Sequence, residues 1–168
     1  MILSALLGAS VPAEAQQPTV RDLQLVARVL GFLDQPPHGA VEVGVVYPAG
    51  SAPARGEAEQ LAALFQDGVR AGGVTLRPRL LGVEEAASSR LRVLLLTDAA
   101  ASQAAMIARA VASRGVLTVT ANQVLVDEGL AVMAVRSQPR VEVVVSRAAA
   151  QAAGIGFAGA FRMMIQER

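Results

Sequence analysis

The alternation of apolar and polar residues divides the chain into helical and extended segments. Residues 20–33 follow Thr19, a good helix cap, and their apolar positions recur at the i, i+3, i+4, i+7 spacing of an amphipathic helix. Pro36 and Pro37 prevent this helix from continuing. Residues 40–47 (AVEVGVVY) are mostly apolar, which predicts a strand buried on both faces.

The central part of the chain continues this alternation of strands and helices. We predict a helix over residues 56–71 that ends at Gly72 and Gly73, and a helix over residues 102–113 capped by Ser102. Strands are predicted over residues 74–81, 91–97 and 116–120, and Pro78 favours an edge position for the first of these. The order βαββαβ implies a mainly parallel sheet with helices on both faces.

The C-terminal third departs from that order. Residues 130–136 and 140–145 are close enough to form an antiparallel hairpin through Ser137-Gln138-Pro139. Ser146 then caps a helix that Gly154 and Gly156 interrupt, and a second helical piece is predicted over residues 157–165. We therefore predict an α/β fold: a single three-layer domain whose mixed sheet, mainly parallel with a C-terminal antiparallel hairpin, is flanked by helices.

Composition limits the classes of function. The chain has 168 residues, of which 53% are hydrophobic and 17% charged, so it is long and apolar enough for one folded domain. The net charge is +1 and the arginines are scattered between acids, without the basic stripe of a nucleic-acid-binding protein. With no cysteine and one histidine, we predict no disulfide, no metal site and no cofactor.

The first residues have the pattern of a signal peptide. Residues 2–11 are apolar and of the length of a signal h-region, and Ala13-Glu14-Ala15 places small residues where a signal peptidase reads them. We predict that residues 1–15 are cleaved before Gln16 and that residues 16–168 form one periplasmic domain. The alternative is that this stretch is an N-terminal helix of the mature fold.

No arrangement of side chains in the sequence indicates catalysis. His38 has no second catalytic group near it in the chain, and no serine stands in a G-x-S-x-G setting. The carboxylate pairs Glu84-Glu85 and Asp127-Glu128 are adjacent residues, which usually diverge into solvent. We predict no catalytic residue and no enzymatic activity. The loop over residues 48–56 follows a strand and precedes a helix, so an anion site with Arg55 remains an alternative to a plain connection.

Several segments, in order, resemble the YfiR/HmsC-like family of small periplasmic regulators. They are Phe32-Leu33-Asp34-Gln35-Pro36, Val93-Leu94-Leu95-Leu96-Thr97, Gly115-Val116-Leu117-Thr118-Val119-Thr120, Glu128-Gly129-Leu130-Ala131-Val132, and Ala149 with Gln151-Ala152-Ala153-Gly154-Ile155-Gly156-Phe157. The chain departs from that family at Gln35, where a Trp is usual, and at Ser146, where an Asn is usual. It also lacks the cysteines of several relatives, so thiol-based switching cannot operate here.

The resemblance implies a non-enzymatic regulator that binds the periplasmic part of an inner-membrane diguanylate cyclase and holds it inactive. Release of the cyclase would raise cyclic-di-GMP and favour biofilm growth. A second copy of the chain is another possible partner, which would form a homodimer. No nucleic-acid partner is expected. The alternative function is a small-molecule-binding domain similar to one lobe of an ABC-transporter solute-binding protein, which a strand over residues 43–47 followed by a Gly/Ser/Pro loop would suit.

The turn after the first helix is the predicted partner surface. It contains Phe32, Asp34, Pro36, Pro37 and His38. An aromatic residue and two prolines form a rigid apolar patch that loses little entropy on binding. The alternative is that Phe32 fills the core.

The signal-peptide prediction is tested by the mass of the protein recovered from the periplasm. We expect a chain that begins at Gln16, because Ala13 and Ala15 are the residues a signal peptidase recognises. An intact N-terminus in periplasmic material would contradict it.

Overall fold

A computed structural model describes residues 17–168 as one eight-stranded sheet with helices on both faces. The predicted signal peptide and its cleavage position lie outside these residues. The strands are β1 Gly39–Tyr47, β2 Val69–Ala71, β3 Val74–Gly82, β4 Val93–Leu96, β5 Leu117–Thr120, β6 Met133–Arg136, β7 Glu142–Val145 and β8 Gln166–Glu167. The α-helices are α1 Val20–Leu30, α2 Ala52–Ala63, α3 Val83–Ser88, α4 Ala104–Ala110, α5 Gln123–Asp127, α6 Arg147–Ala153 and α7 Gly159–Arg162.

The sheet is mixed, as predicted. Its strand order is β2-β3-β1-β4-β5-β6-β7-β8. The five central strands run parallel to one another, in the order β3, β1, β4, β5 and β6. On either side of them, β2 is antiparallel to β3 and β7 is antiparallel to β6. The predicted C-terminal hairpin is therefore confirmed. Beside its turn Glu142 accepts hydrogen bonds from Arg136 and Arg140, which together hold the pKa of this carboxyl below its ordinary value.

Two apolar cores, one on each face of the sheet, give the predicted three layers. Helices α1, α2 and α6 pack over one face, where Leu30, Val45 and Leu76 are fully buried. Helices α3, α4 and α5 pack over the other face, where Val46, Leu94 and Ile107 are fully buried. Since side chains alternate along a strand, neighbouring residues such as Val45 and Val46 belong to different cores.

Helix α1 begins where the sequence predicts. The Thr19 hydroxyl accepts a hydrogen bond from the backbone N–H of Asp22, and the Asp22 carboxylate accepts one from the N–H of Thr19 at 2.6 Å. This reciprocal pair is a capping box, with an aspartate in the position where glutamate is more common. The helix ends at Leu30, three residues before the predicted end, because Gly31 already leads into the turn.

The predicted helix over residues 56–71 is wrong at both ends. Helix α2 starts earlier because Ser51 caps it at the N–H of Ala54. It stops at Ala63, and residues 69–71 form the edge strand β2. Gly72 and Gly73, with φ of +58° and +84°, make the turn of the β2–β3 hairpin instead of ending a helix. Since β2 pairs only with the start of β3, Pro78 costs no hydrogen bond on that side.

Three further elements differ from the sequence prediction. Ser102 caps no helix, because it lies inside a 3₁₀ helix, Asp98–Gln103, that precedes α4. The polar connection after β5 contains helix α5, which Asn122 caps. The predicted helical piece over residues 157–165 shrinks to α7, and the short strand β8 follows it.

Two glycine-to-alanine substitutions test this packing. A Cβ at Gly44 would lie 2.7 Å from Leu81 Cδ1 and 2.8 Å from Leu94 Cδ2, so Gly44→Ala should lower the free energy of unfolding by about 1–3 kcal/mol. A Cβ at Gly56, inside α2, meets nothing within 4 Å, so Gly56→Ala should raise it by about 0.5–1 kcal/mol. Urea denaturation measures both, and equal effects would contradict the packing around Gly44.

Candidate partner-binding site

The turn after α1 is fixed against the segment that joins α6 to α7. Leu33 forms an antiparallel bridge with Phe157. On either side of the bridge, the N–H of Asp34 donates to the carbonyl of Gly156 at 3.0 Å, and the N–H of Ala158 donates to the carbonyl of Phe32 at 2.8 Å. We call this pairing of residues 32–34 with residues 156–158 the clamp. It joins the first helix of the described chain to the last two.

Three phenylalanine rings stabilise the clamp. The ring of Phe32 stacks on Phe161 with centroids 5.0 Å apart and an interplanar angle of 12°. Phe161 in turn contacts Phe157 in a tilted arrangement at 5.3 Å. Phe157 and Phe161 are 6% and 4% exposed, whereas Phe32 is only half-buried. Phe32 therefore contributes to the core with one face of its ring and still reaches the surface.

Glycine at position 156 lets Asp34 approach the linker. A Cβ at Gly156 would lie 1.9 Å from Asp34 Oδ2 and 2.8 Å from its Cγ. Any larger residue would therefore displace the Asp34 side chain. Gly154, two residues earlier, ends α6 in the left-handed conformation with φ +73°. The two glycines that the sequence places between helices thus have separate structural roles.

An open cavity of about 520 Å³ lies beside the clamp. It borders Asp34 on one side and, on the other, Arg92, which directly precedes β4, and Gly115, which lies two residues before β5. Arg114 also lines it and is fixed by hydrogen bonds to the carbonyls of Ala87, Ser89 and Ala110. The cavity therefore combines one exposed carboxylate with two guanidinium groups on an ordered wall.

A second open cavity of about 490 Å³ lies on the other side of the linker. Ile155 lines both cavities, and the rest of the second wall comes from β7, α6, α7 and β8: Val145, Arg147, Ala150, Gln151, Phe157, Arg162 and Glu167. Residues 155–157 therefore form a ridge between two concave surfaces. A ridge held by backbone hydrogen bonds and buried aromatic rings suits recognition of a protein surface.

The structure divides the five residues of the predicted partner surface into two groups. Phe32 and Asp34 lie in the clamp. Pro36 and His38 are exposed and Pro37 is half-buried in the connection to β1, and none of the three lines either cavity. Sequence reasoning missed Phe161, Arg92 and Arg114 as neighbours of Phe32 and Asp34. Their contacts join distant parts of the chain, so no local pattern marks them.

One carboxylate of each pair considered for catalysis has a structural partner. Glu85 accepts a hydrogen bond from the N–H of Gly82 at the start of α3, and Asp127 forms an ion pair with Arg168 at 3.5 Å. Within residues 17–168, no group of three His, Cys, Asp or Glu side chains is placed to hold a metal ion. Over the same residues, no helix is long and apolar enough to cross a membrane.

The loop after β1, the alternative anion site, has its polar groups bound within the chain. This loop lies at the topological switch point, where the chain leaves β1 for β3 on one side and β4 on the other. Glu57 accepts hydrogen bonds from the N–H groups of Asp98 and Ala99 at 2.7 and 3.2 Å. Arg55 pairs with Glu59 at 2.8 Å, which raises the pKa of its guanidinium. A carboxylate of the chain thus occupies the position of an anionic ligand.

Comparison with solved structures shows a fold that recurs in other proteins. A conserved domain protein from Vibrio cholerae superposes with a TM-score of 0.58 at 16% identity, over 90% of this chain and 60% of that one. An ABC domain in complex with L-Trp from Streptococcus pneumonia superposes with a TM-score of 0.56 at 12% identity, over 88% of this chain and 59% of that one. The chain therefore spans about three fifths of the length of these structures, and the likeness concerns the fold alone.

Comparison with protein families is more specific. A search of curated proteins finds no match. The model of the YfiR/HmsC-like family, in contrast, matches residues 42–160, well over half of the chain. The match includes the α6–α7 linker of the clamp. The chain belongs to the YfiR/HmsC-like family.

Proposed function

We propose that this protein is a non-enzymatic periplasmic repressor that binds the periplasmic domain of an inner-membrane diguanylate cyclase and holds it inactive. Family membership supports the regulatory class, and the clamp is the observation that supports a protein contact. Its ridge and two concave flanks offer an extended surface to a folded partner. The diguanylate cyclase is the partner that the family resemblance implies.

The clamp is suited to binding because it is already ordered. Two backbone hydrogen bonds and the Leu33–Phe157 bridge fix the main chain, and the stacked rings of Phe32 and Phe161 fix the side chains. A surface ordered before contact loses little conformational entropy on binding. Pro36 and Pro37 restrict the adjoining connection in the same way.

The composition of the surface also matches a protein interface. Phe32, Leu33 and Ile155 provide half-buried apolar side chains at its centre, while Asp34 and Arg92 provide charge at its rim. An apolar centre with a polar rim is the usual arrangement of protein interfaces. We place the cyclase contact on residues 32–38 together with residues 154–158.

The alternative function, a small-molecule-binding lobe, requires a rearrangement. A ligand at the switch point between β1 and β4 would have to displace Glu57 from the N–H groups of Asp98 and Ala99. The fold resembles an ABC domain that binds L-Trp, which keeps this function testable. Calorimetry with amino acids, on the wild type and Glu57→Gln, would support it if either protein bound one.

A charge reversal at the rim tests the partner surface. We expect Asp34→Arg to weaken capture of the cyclase periplasmic domain at least about tenfold, because it reverses the charge at the rim of the proposed surface. Asp34 is exposed, so the melting temperature should stay near that of the wild type.

The matched control is Glu128→Arg, an exposed acid at the end of α5, beyond the carboxyl end of β5 and away from the clamp. Capture by this variant should equal that of the wild type. Equal weakening by both substitutions would assign the effect to net charge and reject the surface. Sedimentation of each variant alone reports whether the chain also forms the proposed homodimer.

A double-mutant cycle tests the aromatic part of the clamp. We expect Phe32→Leu and Phe161→Leu to couple by about 0.5–1.5 kcal/mol in the free energy of unfolding, because their rings are stacked. Denaturation of the two single variants and the double variant gives the coupling. A coupling of zero would show that the contribution of Phe32 to the free energy of unfolding does not depend on Phe161.

A further inference from the structure

Three arginines that are dispersed in the sequence share one face of the sheet. Arg70 of β2 lies opposite Thr75 of β3, and residues directly opposite in an antiparallel pair point to the same face. Arg77 and Arg79 follow Thr75 at two-residue spacing, so they also point to that face. All three side chains are exposed. We call Arg70, Arg77 and Arg79 the arginine face.

Among residues 17–168, no helix covers the arginine face. The residues of β1 beside it are Ala40, Glu42 and Gly44, in register with Thr75, Arg77 and Arg79. Helix α3 packs against the carboxyl ends of β1 and β3, where Val46 and Leu81 enter the second core. Toward the other end of these strands, Ala40 and Glu42 are exposed like the arginines. This part of the sheet is therefore a flat, open surface.

The arginine face has no internal counter-charge that neutralises it. Within residues 17–168, none of its three side chains forms an ion pair, whereas five other arginines do: Arg55, Arg136, Arg140, Arg147 and Arg168. Glu42 lies beside Arg77 in the sheet but forms no ion pair with it. Residues two apart on a strand, such as Arg77 and Arg79, have Cα atoms about 7 Å apart, so their positive charges repel one another. An external anion would relieve that repulsion.

We propose that the arginine face docks on the phosphate headgroups of an anionic phospholipid membrane. Guanidinium groups bind phosphate oxygens through paired, charge-assisted hydrogen bonds. A flat array of positive charge binds an anionic lipid surface with a free energy that grows with each arginine. This surface differs from the clamp, so lipid docking and cyclase binding are separate properties of the chain.

Two other polyanions fit this face less well. Single-stranded nucleic acid is usually bound with the help of aromatic stacking, and the strands that form this face place no aromatic side chain on it. An acidic protein would need an apolar centre in its contact, but the large exposed apolar residues of the described chain belong to other segments: Val20, Met106, Val124, Val141, Met163 and Met164. Of the three polyanions, a phospholipid surface fits best, because its headgroups bind by a purely electrostatic contact.

Vesicle sedimentation tests the proposal with the protein as recovered from the periplasm. We expect binding to vesicles that contain one part in three phosphatidylglycerol, little binding to phosphatidylcholine alone, and a loss of binding as salt is raised. The triple variant Arg70→Gln, Arg77→Gln, Arg79→Gln should bind about a hundredfold more weakly, at about fivefold per arginine. Glu42→Gln, which removes the acid in register with Arg77, should bind about fivefold more tightly.

A second triple variant controls for net charge. Arg21→Gln, Arg28→Gln and Arg109→Gln change the charge equally at exposed positions elsewhere and should bind vesicles like the wild type. If the first triple variant fails to fold, Arg79→Gln and Glu42→Gln alone still have opposite expected signs. Equal losses in both triple variants, or unchanged binding in the first, would overturn the proposal. The proposal would also be overturned if the first triple variant lost capture of an acidic protein while its binding to vesicles stayed unchanged.

Discussion

The clamp is the interaction on which the rest of this structure depends. Residues 32–34 and 156–158 lie more than a hundred residues apart, so bringing them together carries the entropy cost of closing a long loop. Backbone hydrogen bonds and the contacts among Phe32, Phe157 and Phe161 offset that cost. Helix α1 packs its apolar side over one face of the sheet, and this pairing fixes the turn that follows it beside α6 and α7. The proposed partner surface and the stability of the domain thus rest on the same contacts.

The carboxyl and amino ends of the parallel strands differ in the groups that they present to a ligand or a partner. At the carboxyl ends of β1 and β4, where folds of this type commonly bind ligands, Glu57 already satisfies the N–H groups of Asp98 and Ala99. At the amino ends of β4 and β5, an open cavity with uncompensated charge lies beside the clamp. The likeness to a ligand-binding domain concerns the fold alone, and in this crevice the N–H groups of Asp98 and Ala99 donate to the chain's own carboxylate.

Features that depend on residues close together in the sequence could be predicted, whereas features that depend on distant residues could not. The cap at Thr19 and the hairpin closed at Gln138-Pro139 are local, and both were predicted. Strand β2 was missed because Gly72-Gly73 can end a helix or turn a hairpin, and only pairing with β3 decides between them. The contact of Phe32 with Phe161 and the assembly of the arginine face arise from tertiary structure. Periodicity cannot show which distant side chains will meet.

Amide hydrogen exchange of this protein, alone and with the cyclase periplasmic domain, tests the central claim most directly. If the clamp is the partner surface, binding should slow exchange in residues 32–38 and 154–158 and leave the loop over residues 48–57 unchanged. Slower exchange confined to that loop and to residues 97–99, with none at the clamp, would contradict the account. It would direct attention to the crevice that Glu57 occupies.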